Sequence, residues 1–332
     1  MLFRKSIILI VIFMVASCQS EINYVRLDGF TMGTTYQITL QSDQQTAVLI
    51  QQQIDTELLK INHLMSTYID DSELSLFNQS TSLDCQQVSE ETYYVIKNAI
   101  EISKKTQGKF DVTIGPLISE WGFDKKQTND VIPSEQAIQQ LVRRIGYNKV
   151  RLGNGCVQKR HPKLSINLSA IAKGYSVDHI ASVLRSYNIT SYLVEIGGET
   201  ASKGVNPKSL PWRLAIEAPV EQKRQIQQVF TPLGLGVATS GDYRNYFEKA
   251  GIRFSHTLDP TTGKPITHDL VSVTVLHSQT MLADAYATAF MVMGMKQATI
   301  FAEQHQLPVY LLVKKEKGFE AVYTSAFKKH LL

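Results

Sequence analysis

Hydrophobic and polar positions change period several times along the chain, and the organising change falls at residues 165–181, S-I-N-L-S-A-I-A-K-G-Y-S-V-D-H-I-A. Leu164, Ile166 and Leu168 alternate with polar residues, which predicts a half-buried strand. Ser169 then sits at an N-cap position, and Ile171, Tyr175, Ile180 and Leu184 follow at roughly helical spacing. A strand running straight into a helix leaves the first helical amides unpaired, and such an end attracts anions, phosphates above all. Lys173 adds a positive charge there. An ordinary capped helix with a solvated lysine accounts for the same residues.

A second stretch, Met281 to Gly294, is apolar almost all round and predicts a buried helix that Gly294 ends. Asp284 is its only ionisable carboxylate, and Thr288, four residues on, shares its face. Two readings stand. Asp284 favours the positive end of its own helix, or it binds a hard cation that substrate phosphate completes, as magnesium is usually held.

The remaining patterns predict a β-rich segment over Phe30–Leu40 with Gly33 inside it, and an amphipathic helix over Thr46–Met65 with Val48, Ile54, Leu58, Ile61 and Met65 on one stripe. A helix capped by Ser89 runs to about Lys105, a shaped loop spans Gly108–Phe123, and Asp130–Ile145 has a helical middle. Lys149–Leu168 reads as a hairpin around Gly153-Asn154-Gly155. Strands follow at Tyr192–Ile196, ending in the pair Gly197-Gly198, and at Trp212–Glu217, Val271–Leu276, Val309–Val313 and Phe319–Tyr323. Tyr243–Asp259 predicts a further hairpin, and Gln297–His305 a helix. Helices and strands mix without regular alternation, and no P-loop or G-x-G-x-x-G follows a strand. The expected class is α+β: mixed sheets and helices in one large domain of two intimate subdomains, not a Rossmann arrangement.

Composition changes this picture only at the ends. The 332 residues are 43% hydrophobic, ample for such a core. The formal charge is +4, but two of the 34 basic residues, Arg4 and Lys5, belong to an N-terminal processing signal. Without them the chain is near neutrality, and no basic stripe argues for nucleic acid. Residues 1–18 pair that basic start with an apolar core at Ile7–Val15 and end V-A-S-C, which resembles the lipobox of bacterial lipoproteins with Cys18 as the lipidated residue. The expectation is a membrane-anchored protein on the periplasmic side, with inner or outer membrane left open, a tether over 19–28 and a catalytic domain over 29–332. Cys85 and Cys156 have neither metal-type spacing nor a nucleophile's signature, and read as structural, paired or not.

Four glycine-bearing polar stretches, T-M-G-T, F-D-V-T-I-G-P-L, S-A-I-A-K-G-Y and T-S-G-D-Y-R, lie apart in the chain. A fifth, S-H-T-L-D-P-T-T-G-K-P, precedes the A-D-A-Y-A-T helix. Together and in order, from about Thr31 to about Gly294, they resemble the ApbE family of flavin transferases. The resemblance implies an enzyme that takes FAD and, with magnesium, transfers its FMN half to a threonine of an exported target, releasing AMP. Implied partners are flavoprotein subunits of NADH:quinone oxidoreductases and related electron-transfer complexes.

Carried over by position, FAD contacts fall on Met32, Tyr68, Lys109, Phe110, Asp111, Lys173 and Leu258. Metal ligands fall on the Ala170 carbonyl, Asp284 and Thr288, with the Ala287 carbonyl as a further candidate. Asn167 stands where many members carry aspartate. It can still hydrogen-bond the ligand, but as a neutral group with donors as well as acceptors. A threonine hydroxyl needs a base, and His256 is the candidate, with Asp259 or Asp242 as helpers; a structural histidine is the alternative. Arg244 either holds phosphate or pairs with an acid, and Glu195 has no assigned role. Alternatives on the same site are a magnesium-dependent FAD pyrophosphatase giving FMN and AMP, and a flavin-binding lipoprotein without chemistry.

Overall fold

The structure, a computed structural model, describes residues 23–124, 132–219, 225–241, 246–249 and 252–332. Cys18, Asp242 and Arg244 lie outside them, as do the rest of the expected signal sequence and the start of the expected tether.

The first half carries β1 (Tyr24–Thr31), β2 (Thr34–Gln41), α1 (Gln44–Met65), α2 (Glu73–Gln79), β3 (Gln86–Gln87), α3 (Glu90–Lys105), α4 (Gly115–Glu120), α5 (Glu135–Arg144), β4 (Val150–Leu152), β5 (Cys156–Lys159) and α6 (Ala172–Ser186). Then come β6 (Tyr192–Ile196), β7 (Glu199–Lys203), β8 (Leu214–Glu217), β9 (Ile226–Phe230), β10 (Gly236–Gly241), β11 (Tyr246–Lys249), β12 (Ile252–Ser255), β13 (Leu258–Asp259), β14 (Lys264–Pro265), β15 (Leu270–His277), α7 (Thr280–Gln304), β16 (Val309–Lys314) and β17 (Phe319–Tyr323).

Eight strands form one sheet in the order β1-β2-β6-β7-β10-β15-β16-β17, every pair antiparallel. An all-antiparallel sheet has no βαβ crossovers, so the α+β expectation holds and a Rossmann arrangement is absent. One buried apolar cluster draws on residues from Ile61 in α1 to Val313 in β16, with α7 running through it, and makes a single domain. Among the described residues no helix is long and apolar enough to cross a membrane.

Three expectations change. Residues 24–28, expected in a tether, form most of β1, because Val25 and Leu27 pair with Leu40 and Ile38 of β2 and bury that face. Gly33 lies in a two-residue turn with Met32, both at positive φ (50° and 72°), rather than inside a strand. The third concerns Leu164–Leu168. Its alternate residues are buried as the pattern predicts, yet it joins no sheet. The Asn78 side chain accepts from the Ile166 amide (2.7 Å) and donates to its carbonyl (2.8 Å), while the Asn167 amide donates to the Val112 carbonyl (2.7 Å). Asn78 is itself anchored by Lys159, a fully buried lysine whose ammonium donates to the Asn78 and Ser80 carbonyls at the end of α2. Cys85 and Cys156 form a disulfide, Cα atoms 5.4 Å apart, that ties the β3 region to β5.

Candidate active site

A cavity of about 1340 Å³ opens where α6, α7, the β6–β7 turn and β10 meet segment 109–124, expected as a loop but carrying the short helix α4, and segment 256–260, which carries β13. Small-molecule sites run from about 300 to 1,000 Å³, so this one is sized for a large or two-part ligand.

Its wall is set by two helix starts. Helix α6 begins at Ala172, two residues later than an N-cap at Ser169 predicts, and its N-cap Ile171 offers no side-chain acceptor. Ser169 instead turns onto Asn167, whose Oδ1 accepts from its amide (2.9 Å) and its hydroxyl (2.5 Å). The cap of α6 comes from α7, for the Gly174 amide donates to Asp284 Oδ2 at 3.0 Å. Helix α7 is capped in return by Asp178 of α6, which accepts from the Thr280 and Met281 amides, both at 2.9 Å. Asp284 is therefore not in the first turn of its own helix, and that explanation of its burial lapses. The exchange needs close backbones. A Cβ on Gly174 would lie 2.5 Å from the Thr280 carbonyl oxygen and 2.7 Å from Met281 Cα. Gly294 (φ 72°) breaks α7 into two helical segments where the sequence places the end of the first.

Diverting the Gly174 amide leaves the Ala170 carbonyl, its regular i−4 partner, without a donor among the described residues. Ala170, Asp284 and Thr288 all line the cavity; no donor among the described residues reaches Asp284 Oδ1, and Thr288 Oγ1 lies 3.2 Å from Ser240 Oγ. Among the described residues no group of three or more His, Cys, Asp and Glu side chains could hold a metal. Carbonyl, carboxylate and hydroxyl oxygens are hard ligands, and so small a protein set suits magnesium, which keeps waters and substrate phosphates in its remaining positions. The residues fit that ion. Ala287 is fully buried in α7 and is not part of the cavity wall.

Lys173 reaches Glu199 rather than solvent, Nζ to Oε1 at 2.6 Å. Glu199, 2% exposed, follows the Gly197-Gly198 turn between β6 and β7, and both glycines hold positive φ (59° and 103°). A Cβ on Gly197 would press on Thr34 at 2.8 Å and on Lys173 Cδ at 3.3 Å, so the glycine pair provides both a turn and a close approach. Burial and then the charge of Asp284 push the Glu199 carboxyl up to about 7, against the pull of Lys173. Burial likewise raises Asp284, opposed by Lys173 and the Gly174 amide. Burial works against the Lys173 ammonium, but Asp284 and Glu199 outweigh it and hold its proton more firmly than usual. Glu199 is the residue sequence reasoning missed; its signal was an acidic residue directly after a glycine pair ending an apolar strand.

Tyr68, Lys109, Phe110, Asp111, Asn167, Lys173, His256 and Leu258 all line the cavity. Lys109 is paired with Asp259 at 2.8 Å, which places that carboxylate on the lysine and on Thr261. Asp111 accepts from the Thr113 amide and hydroxyl and from the Tyr147 amide, so its carboxylate shapes the loop and leaves main chain to face a ligand. Met32 is not part of the wall; Ser176 Oγ meets its sulfur at 3.6 Å. His256 faces the edge of Phe123, ring centroids 6.5 Å apart, and is the one imidazole among the described lining residues.

A sequence model of the ApbE family matches residues 32–311. The FAD:protein FMN transferase of Vibrio cholerae serotype O1 is 43% identical over 320 residues, 96% of this chain and 96% of that protein. The protein of the same name from Escherichia coli K12 is 37% identical over 311 residues, 92% and 89% of the two chains. Among solved structures, the flavin transferase ApbE from Vibrio cholerae superposes with a TM-score of 0.86 at 42% identity, covering 93% of this chain and 99% of its own. The apo flavinyl transferase ApbE of Pseudomonas stutzeri does so at 0.84 and 33%, covering 93% and 97%.

Proposed function

The chain belongs to the ApbE family, and we propose from that premise that it is an FAD:protein FMN transferase that uses magnesium, modifies a threonine hydroxyl of an exported flavoprotein subunit and releases AMP. The observation that carries the magnesium reading is the unpaired Ala170 carbonyl beside Asp284 and Thr288 on the wall of a cavity large enough for a dinucleotide. Ala170, Asp284 and Thr288 would hold the ion, which when bound neutralises pyrophosphate charge and stabilises the leaving phosphate. Lys173 offsets the remaining negative charge. Tyr68, the 109–111 main chain and Leu258 are surfaces for the flavin and adenosine parts. The acceptor threonine Oγ attacks the phosphorus of the FMN half, the bond to the AMP phosphate breaks, and His256 takes the hydroxyl proton. Phosphoryl transfer of this kind needs positioning and charge neutralisation more than covalent help.

Export and lipid anchoring at Cys18 belong to the same proposal, supported by the lipobox-like V-A-S-C and by a disulfide of the sort that persists in oxidising compartments. Mass spectrometry on the chain, FAD, magnesium and an exported subunit with an S-G-A-T-like threonine tests the reading. A covalent FMN adduct on that threonine, lost with Asp284→Ala, supports it. Free FMN and AMP with the subunit unmodified would make the chain a pyrophosphatase, and intact FAD would leave flavin binding alone.

A further inference from the structure

The Lys173 ammonium has two buried carboxylates within electrostatic reach, and it pairs with only one. Its hydrogen bond goes to Glu199 Oε1, while Asp284 takes a main-chain amide instead. Lysine is a point charge on a flexible four-carbon stem, so nothing intrinsic to it selects one carboxylate over the other. The selection lies in the framework. Glu199 forms the closing pair of the β6–β7 hairpin with Ile196, and Gly197 brings that turn against the lysine stem. The other oxygen of Glu199 is buried without a hydrogen-bond partner among the described residues, so little beyond the ion pair holds this side chain inside the protein. A buried carboxylate kept at that cost points to a task in the cavity it borders.

We propose that Glu199 is a positioning residue: it draws the Lys173 ammonium away from Asp284, which keeps Asp284 open as a metal ligand and sets Lys173 where it receives the FAD pyrophosphate. This rests on the reading of the cavity as an FAD site. Without Glu199 the ammonium falls back on Asp284, the other carboxylate whose charge acts on it, and both groups are lost to the substrate together.

Flavin fluorescence quenching on the full chain, with FAD and magnesium, tests this separately from transfer. Glu199→Ala weakens FAD binding about tenfold, whereas Glu199→Gln, which keeps an acceptor at the same place, falls between it and the wild type. Lys173→Met alone weakens binding by a similar factor, and adding Glu199→Ala to it costs less than about twofold more, because the two act as one unit. Thermal unfolding of each variant accompanies the titrations. Equal losses from Glu199→Ala in the wild type and in the Lys173→Met variant, or unchanged binding in Glu199→Ala, overturn the positioning role. A wild type that binds FAD but transfers no FMN sinks the transferase reading and leaves the positioning role standing; one that binds no FAD overturns both.

Discussion

The amide of Gly174 in α6 donates to the carboxylate of Asp284 in α7 at 3.0 Å, across 110 residues of chain. One bond thus caps one helix, fixes the carboxylate of the other and frees the Ala170 carbonyl beside them.

Gly174→Ala tests the close approach behind that bond. In an isolated helix alanine would gain up to about 1 kcal/mol over glycine. Here the new methyl meets the Thr280 carbonyl and Met281 Cα, backbone atoms that move only if α6 and α7 separate. The expected net loss is about 1–3 kcal/mol in urea unfolding, with metal-dependent transfer falling further than stability.

Asp284→Asn keeps shape and an acceptor for Gly174 but removes the charge. The carboxylate is 4% exposed and its pKa is raised by burial, so the variant is expected to be as stable as the wild type or more so. AMP release is expected to fall at least about a hundredfold, and chelation of magnesium is expected to do the same to the wild type. A stable variant with intact turnover would refute the metal assignment.

Glu199 gives the metal-free chain a slope in stability with pH. Its folded value near 7 lies above its ordinary 4.5, so the folded chain binds this proton more tightly. The contribution is fully present below about 4.5 and is lost as pH rises through about 7. Urea midpoints measured between about pH 5 and pH 8 should therefore decline in the wild type and flatten in Glu199→Gln.

The Cys85–Cys156 bridge closes a loop of 71 residues. Loop-closure entropy for that length amounts to about 4 kcal/mol, an upper figure because strain and residual structure reduce it. Replacing both cysteines with serine should lower the melting temperature, and a reductant should lower that of the wild type alike while leaving the serine variant unmoved.

Much of this was legible in the chain. The Ser89 cap, the Gly153–Gly155 hairpin and the Gly294 break all appear near their expected places, because each is a local pattern; the Thr46–Met65 stripe holds at Ile54, Leu58, Ile61 and Met65, but its first turns bury Ala47 and Ile50 and leave Val48 exposed. The start of α6 was misplaced because its acceptor arrives from Asp284, which local spacing does not reveal. Leu164–Leu168 has the period of a strand but finds its hydrogen bonds in Asn78 and Val112, so period alone misassigned it. Asp284, Thr288 and Lys173, which the structure places on one cavity wall, stand out in the sequence because a carboxylate in an apolar helix and a lysine at a helix start are costly locally. Glu199 escaped, since its cost arises only when the β6–β7 turn folds it against Lys173.

The exchanged caps, Asp284 on Gly174 and Asp178 on Thr280 and Met281, also act as a vernier between α6 and α7. Sliding one helix along the other by a single residue, about 1.5 Å, breaks all three bonds at once. The spacing of the Ala170 carbonyl, Asp284 and Thr288 is thus written into the axial offset of α6 and the first segment of α7, and a strengthened core elsewhere will leave it unaltered.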